Sequence, residues 1–94
     1  MRQEKRHKLQ LFYDILCAID DSIINHKIAK RTHIQHDSRL SYDKMMNHIN
    51  QLKQKGMIHI HRENNNELIT ITGKGKLLVK RYNELINLIE SVGL

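Results

Sequence analysis

The sequence predicts a mainly α-helical domain carrying one small β-hairpin, on three observations. Apolar residues recur every three or four positions through most of the chain, the period of a helix with one buried face. Proline is absent and aromatic residues make up only 4%, a composition far from that of β-rich folds. Between Ile58 and Ile71 the apolar period changes to two on either side of a polar stretch, as paired strands require.

Leu9, Phe12, Leu16, Ile19 and Ile23 step by three and four and predict a first helix over roughly 4–22. A short second helix is expected at about 28–37, with Ile28, Thr32 and Ile34 turned inward and Lys30, Arg31 and Gln35 outward. Asp37-Ser38-Arg39 then supplies a turn into a third helix. Ser41 suits its N-cap and Gly56 its C′ stop. Leu40, Met45, Ile49 and Leu52 share one side of that helix, while Asp43, Lys44, Asn47 and Gln51 fall on the other. Past the glycine, Ile58 and Ile60 alternate with His59 and His61, and Ile69 and Ile71 answer them across the segment from Arg62 to Glu67. Asn64-Asn65-Asn66 is turn chemistry. Two helices joined by a short turn and followed by a hairpin make a winged helix-turn-helix, in which the third helix is the recognition helix and the hairpin the wing.

Thr72 caps a last, long helix that begins at Gly73 or Lys74 and runs to Ser91 or Val92. Leu78, Tyr82, Leu85, Ile89 and Val92 are spaced four, three, four and three, the seam of a coiled coil. Leu77, Val79, Ile86 and Leu88 widen the apolar surface beyond what one neighbour covers. Part of it is expected on the first helix and the rest against a second copy of the chain. At 94 residues the chain is one small unit whose thin core favours self-association.

The net charge is +6 and the pI about 9.7, which points to a polyanionic partner. The excess is placed unevenly. Arg2, Lys5, Arg6, Lys8, Lys27, Lys30, Arg31 and Arg39 lie in the first forty residues, and Lys44, Lys53, Lys55 and Arg62 face one acid, Asp43, in the helix-and-wing segment. Beyond position 62, cations only balance acids. Double-stranded DNA is therefore the expected partner. Ser41, Tyr42, Lys44 and Asn47, with His48 behind them, are the candidates nearest base edges. Lys30, Arg31, Arg39 and Arg62 are candidates for phosphate, with a narrow minor groove as the alternative for Arg62. The N-terminal cations are candidates for further backbone contacts.

Other chemistries find less in the sequence. Cys17 is the only cysteine, which excludes an intrachain disulfide and suits a small buried hydrophobe. His33 with His36, His59 with His61, and Cys17 are enough donors for a metal in principle, but no spacing makes them converge, so neither metal nor cofactor is expected. No glycine-rich phosphate loop, paired carboxylates or nucleophile–histidine arrangement is present, and the chain is expected not to be an enzyme. No apolar run approaches the ~18 residues of a membrane span, and MRQEKRHK lacks the apolar stretch of a signal peptide, so the expectation is a cytoplasmic, nucleoid-associated protein.

YDIL at 13–16, Thr32 and Ile34, LSY at 40–42, Ile49 and Leu52, GMI at 56–58 and TGKG at 72–75 together resemble the archaeal winged helix-turn-helix DNA-binding proteins of the ten-kilodalton chromatin-associated type. The likeness covers nearly the whole chain. It departs at His48, where that family usually carries an aromatic residue, and at Gln35-His36, where it tends to carry an apolar and an aromatic one. The resemblance implies a homodimer with two DNA-binding heads, joined by the C-terminal helices as an antiparallel coiled coil. On that reading residues 1–72 are the DNA-binding domain and 73–94 the dimerisation helix, with Leu78, Tyr82, Leu85, Ile89 and Val92 in the seam. A transcriptional regulator is the leading expectation. An architectural chromatin protein and a winged-helix module for protein contact stay open, since one scaffold serves all three.

Overall fold

The computed structural model describes residues 7–93, which form α1 (Lys8–His26), α2 (Arg31–Ser38), α3 (Tyr42–Gln54), β1 (Ile58–Glu63), β2 (Asn66–Ile71) and α4 (Gly73–Ser91). The expected cations Arg2, Lys5 and Arg6 lie outside the described residues. This is a mostly helical winged helix with a two-stranded antiparallel hairpin and a long last helix, the predicted fold class.

In α1 the His7 imidazole accepts from the Leu9 N–H at 3.1 Å and caps the first turn. The helix runs four residues past its expected end and stops where Lys27 adopts φ 66° and returns its N–H to the Ile23 carbonyl. Its buried stripe is Leu11, Phe12, Ile15, Leu16, Ala18, Ile19 and Ser22. The broad stripe is centred to one side of the expected seam, so Leu9 falls off its edge and stays 40% exposed.

Ser22 is fully buried. Its single proton goes to the Ile28 carbonyl at 2.9 Å, so Ser22 Oγ is left to accept the Nδ1–H of the His33 ring, also at 2.9 Å. The link from α1 to α2 is thereby tied to both helices. It is also tied to the hairpin, through the Ile69 N–H and the Ala29 carbonyl at 3.1 Å. In α2 the inward residue is Ile34. Thr32, expected inside, is exposed, because the helix begins three residues later than expected and Ala29, in the link, fills the inward place.

The hairpin pairs Ile58 with Ile71 and Ile60 with Ile69 on the core face, and His59 with Thr70 and His61 with Leu68 on the other. The ladder extends further than the apolar pattern does. Arg62 pairs with Glu67 and Glu63 with Asn66, leaving a two-residue loop of Asn64 (φ 52°) and Asn65 (φ 66°). Both loop residues sit in the left-handed region that such a turn demands and that asparagine tolerates.

At the far end of the hairpin, Thr72 joins two elements. Its hydroxyl accepts from the Gly75 N–H at 3.2 Å, capping α4, and donates to the Gly56 carbonyl at 2.6 Å. The core beneath these elements is continuous from α1 to the sheet, with Ile15, Leu16, Ile19, Ile34, Met45, Ile49, Leu52 and Ile69 wholly enclosed. Each such aliphatic side chain stabilises the fold by about 1.5–3 kcal/mol.

Candidate nucleic-acid interface

The turn into α3 contains no glycine. Arg39 instead takes the left-handed conformation, φ 60°, and its N–H bonds the Gln35 carbonyl at 3.1 Å. That places the Arg39 side chain in solvent beside the start of α3, while Leu40 drops into the core at 6% exposure. Ser41 caps α3 as expected, its hydroxyl accepting from the Lys44 N–H at 3.4 Å. Tyr42, at the first helical position, is 48% exposed.

Met45, Ile49 and Leu52 anchor the inner side of α3. With these fixed, the outermost line of the helix is Asp43, Asn47, Asn50 and Gln54, all exposed and spaced four, three and four. Lys44 and Lys53 are exposed along its two edges. Asn50 and Gln54 are absent from the sequence-based candidates, although counting on from Asn47 by three and by seven reaches both. Gln51, expected on this face, is half-buried at one edge.

Two candidates need correction. His48 was expected among the groove-facing residues, but it turns inward, its ring meeting Phe12 of α1 edge to face at 5.8 Å and 81°. Position 48 lies at the margin of the buried stripe, where the Phe12 ring supplies an apolar partner. Arg31 was expected to reach free into solvent. It is half-buried, and its guanidinium is ion-paired with Glu67 of β2, with its Nε buried and without a hydrogen-bond partner. Lys30 precedes α2 in extended conformation and is half-buried. Arg62 is exposed on β1, directly across from Glu67 and one step beyond the isoleucines of the same face.

The proposed seam of α4 divides. Leu78 packs on the core and Tyr82 stacks on Tyr13 of α1 at 4.3 Å, with the Tyr13 hydroxyl donating to Asn83 at 2.5 Å. Leu85, Ile89 and Val92 are 49%, 39% and 62% exposed, beside Leu88 at 60%. An apolar strip therefore lies open along the second half of α4.

Among the described residues no group of three or more His, Cys, Asp or Glu side chains is arranged to hold a metal ion. His33 stacks on His26 at 4.5 Å, His36 meets Asp37, and His59 stacks on His61 at 5.8 Å. Cys17 is half-buried against the cleft between α1 and α4. Burial first, then Asp21, Asp14 and Asp20, push its thiol above the ordinary range, partly offset by the Tyr13 contact. Among the described residues no helix is long and apolar enough to cross a membrane.

A family model described as winged helix-turn-helix matches residues 5–90, and the chain belongs to that family. Its fold is similar to that of Sso10a-2, a DNA-binding protein from Sulfolobus solfataricus, with a TM-score of 0.74 and 25% identity over 93% of this chain and 85% of that one. AF1382 from Archaeoglobus fulgidus gives 0.73 at 16% identity, over 86% of this chain and 89% of that one. MepR of Staphylococcus aureus, solved in complex with DNA, gives 0.70 at 14% identity, over 86% of this chain but only 58% of that one. No curated protein matches the sequence.

Proposed function

We propose that this chain binds double-stranded DNA as a homodimer and acts as a transcriptional regulator, with residues up to 72 forming the DNA-binding head and α4 joining the two copies. In this reading α3 enters the major groove and the wing lies on adjacent backbone or minor groove. Arg39, Lys44, Lys30 and Arg62 meet phosphates, and Ser41, Tyr42 and Asn47 face the groove. The observation that carries the reading is the free outer side of α3, anchored from behind by Met45, Ile49 and Leu52 and bordered by exposed Lys44, Lys53 and Arg39. The similarity to Sso10a-2 supports DNA as the partner. The open strip of Leu85, Leu88, Ile89 and Val92 supports the pairing of copies.

The test is duplex binding at two salt concentrations. A dimer engaging about 6–10 phosphates should lose roughly 10³- to 10⁵-fold in affinity between 50 and 200 mM salt. An affinity absent at low salt, or indifferent to salt, overturns the reading.

A further inference from the structure

The outermost line of α3 carries no cation. Asp43, Asn47, Asn50 and Gln54 occupy it, and the lysines stand at its edges. That arrangement is poorly suited to a surface that only grips phosphate. A carboxamide is neutral, and if its N–H₂ faces a phosphate its oxygen gains nothing; a carboxylate at the centre of such a surface repels the backbone outright. Against base edges the same groups are well used. A carboxamide offers one donor and one acceptor side by side, matching N7 and the N6 amino group of adenine, and a carboxylate accepts from the N4 amino group of cytosine.

Resting on the reading above, we propose that Asp43, Asn47 and Asn50 form a base-reading line that makes this chain sequence-selective rather than a general coat for DNA. Each head recognises a short motif containing adenine opposite Asn47 and Asn50 and cytosine opposite Asp43. The span from Asp43 to Asn50 is seven helical residues, about 10 Å at 1.5 Å each, the length of roughly three stacked base pairs at 3.4 Å. Gln54 lies a turn further on, at the last position of the helix and farthest from the Ser41 cap, and is left outside this reading frame. Asp43 also excludes wrong sequences, because a carboxylate facing a guanine O6 or N7 meets two acceptors.

The experiment is selection from a random duplex library with the full chain, followed by binding of the selected duplex and a shuffled one at two salt concentrations. The expected result is enrichment of an adenine- and cytosine-containing core and a preference of about 10³-fold or more for the selected duplex. Asn47→Ala and Asn50→Ala should each cut that preference by about tenfold. Asp43→Asn should relax the cytosine position alone and tighten binding to the shuffled duplex. All three side chains are exposed, and an unchanged thermal melt confirms that each variant is folded. Salt-sensitive binding with no enrichment overturns the selectivity, and full preference in both asparagine variants overturns the base-reading line; either result leaves DNA binding standing. Absence of binding to any duplex overturns both.

Discussion

Arg31 at the first position of α2 and Glu67 of β2 form an ion pair across thirty-six positions of sequence, with side-chain exposures of 31% and 26%. It runs alongside the bond from the Ile69 N–H to the Ala29 carbonyl, so the wing is held to the start of α2 by one backbone and one side-chain link. Removing the acid leaves a half-buried guanidinium without its counter-charge. Glu67→Gln is therefore expected to destabilise the fold by about 1 kcal/mol, after allowing for solvent screening, measured by denaturant unfolding. Arg31→Ala combined with Glu67→Ala should be less destabilising than the sum of the single changes. Additive effects would show that the pair contributes nothing. Because Glu67 already neutralises it, Arg31→Ala should also weaken DNA binding less than Arg39→Ala.

Gly75 and Gly73, two residues apart, should respond to alanine with opposite signs. A Cβ on Gly75 would stand 2.2 Å from the Met57 carbonyl oxygen and 2.8 Å from Cγ2 of Ile71, whereas one on Gly73 meets nothing within 4 Å. Overpacking of this kind costs about 1–3 kcal/mol, more than the gain of up to ~1 kcal/mol from alanine's helix propensity. Gly75→Ala should lower the melting temperature and Gly73→Ala hold or raise it. Equal shifts would refute the close-contact account.

Cys17 and Tyr13 both favour their neutral forms in the fold, chiefly through burial. The unfolded chain ionises these groups at their ordinary values, the folded chain only at higher pH. Stability from them is thus intact below the ordinary thiol value of 9.0 and falls as pH rises through it. The melting temperature should drop between pH 9 and 10 more steeply in the parent than in Cys17→Ala. At pH 8 the thiol should react with iodoacetamide more slowly than a free cysteine, and ordinary reactivity would contradict its burial.

Leu85 and Ile89 are open on the single chain, so replacing them does not breach its own core. If the chain pairs through this strip as proposed, glutamate at both positions should give a folded monomer in sedimentation and weaken binding to a two-site duplex far more than to a single-site one. Leu78 and Tyr82 make poor choices for this test, since both pack within the chain. An unchanged sedimentation profile would refute the proposed role of this strip in pairing.

How much of this was legible in the sequence depended on the kind of signal each residue carries. Ile58, Ile60, Ile69 and Ile71 announce a hairpin by alternation alone, and Ser41, Gly56 and Thr72 mark helix ends by chemistry that acts within a few residues. Arg62 and Glu67 read as loop because polar residues show no buried period, yet a turn closed by Asn64 and Asn65 draws them into the ladder. His48 and Asn50 look equally polar. Helix phase alone puts the asparagine on the outer line, whereas only Phe12, thirty-six residues earlier, draws the histidine inward. The charge of Arg31 was visible, but its neutralisation by Glu67 was not, because that partner is set by how the sheet lies on α2.

Three bonds converge where α3 hands over to α4: Thr72 to Gly56, the Thr72 N–H to Met57 at 3.1 Å, and the Lys74 ammonium to the Lys55 carbonyl at 2.8 Å. With the two helices riveted there, α4 works as a handle for α3. In the proposed dimer, a change in how two such handles cross would swing the two copies of α3 by a lever arm of nineteen residues, carrying them into or out of phase with the DNA repeat of about 10.5 base pairs.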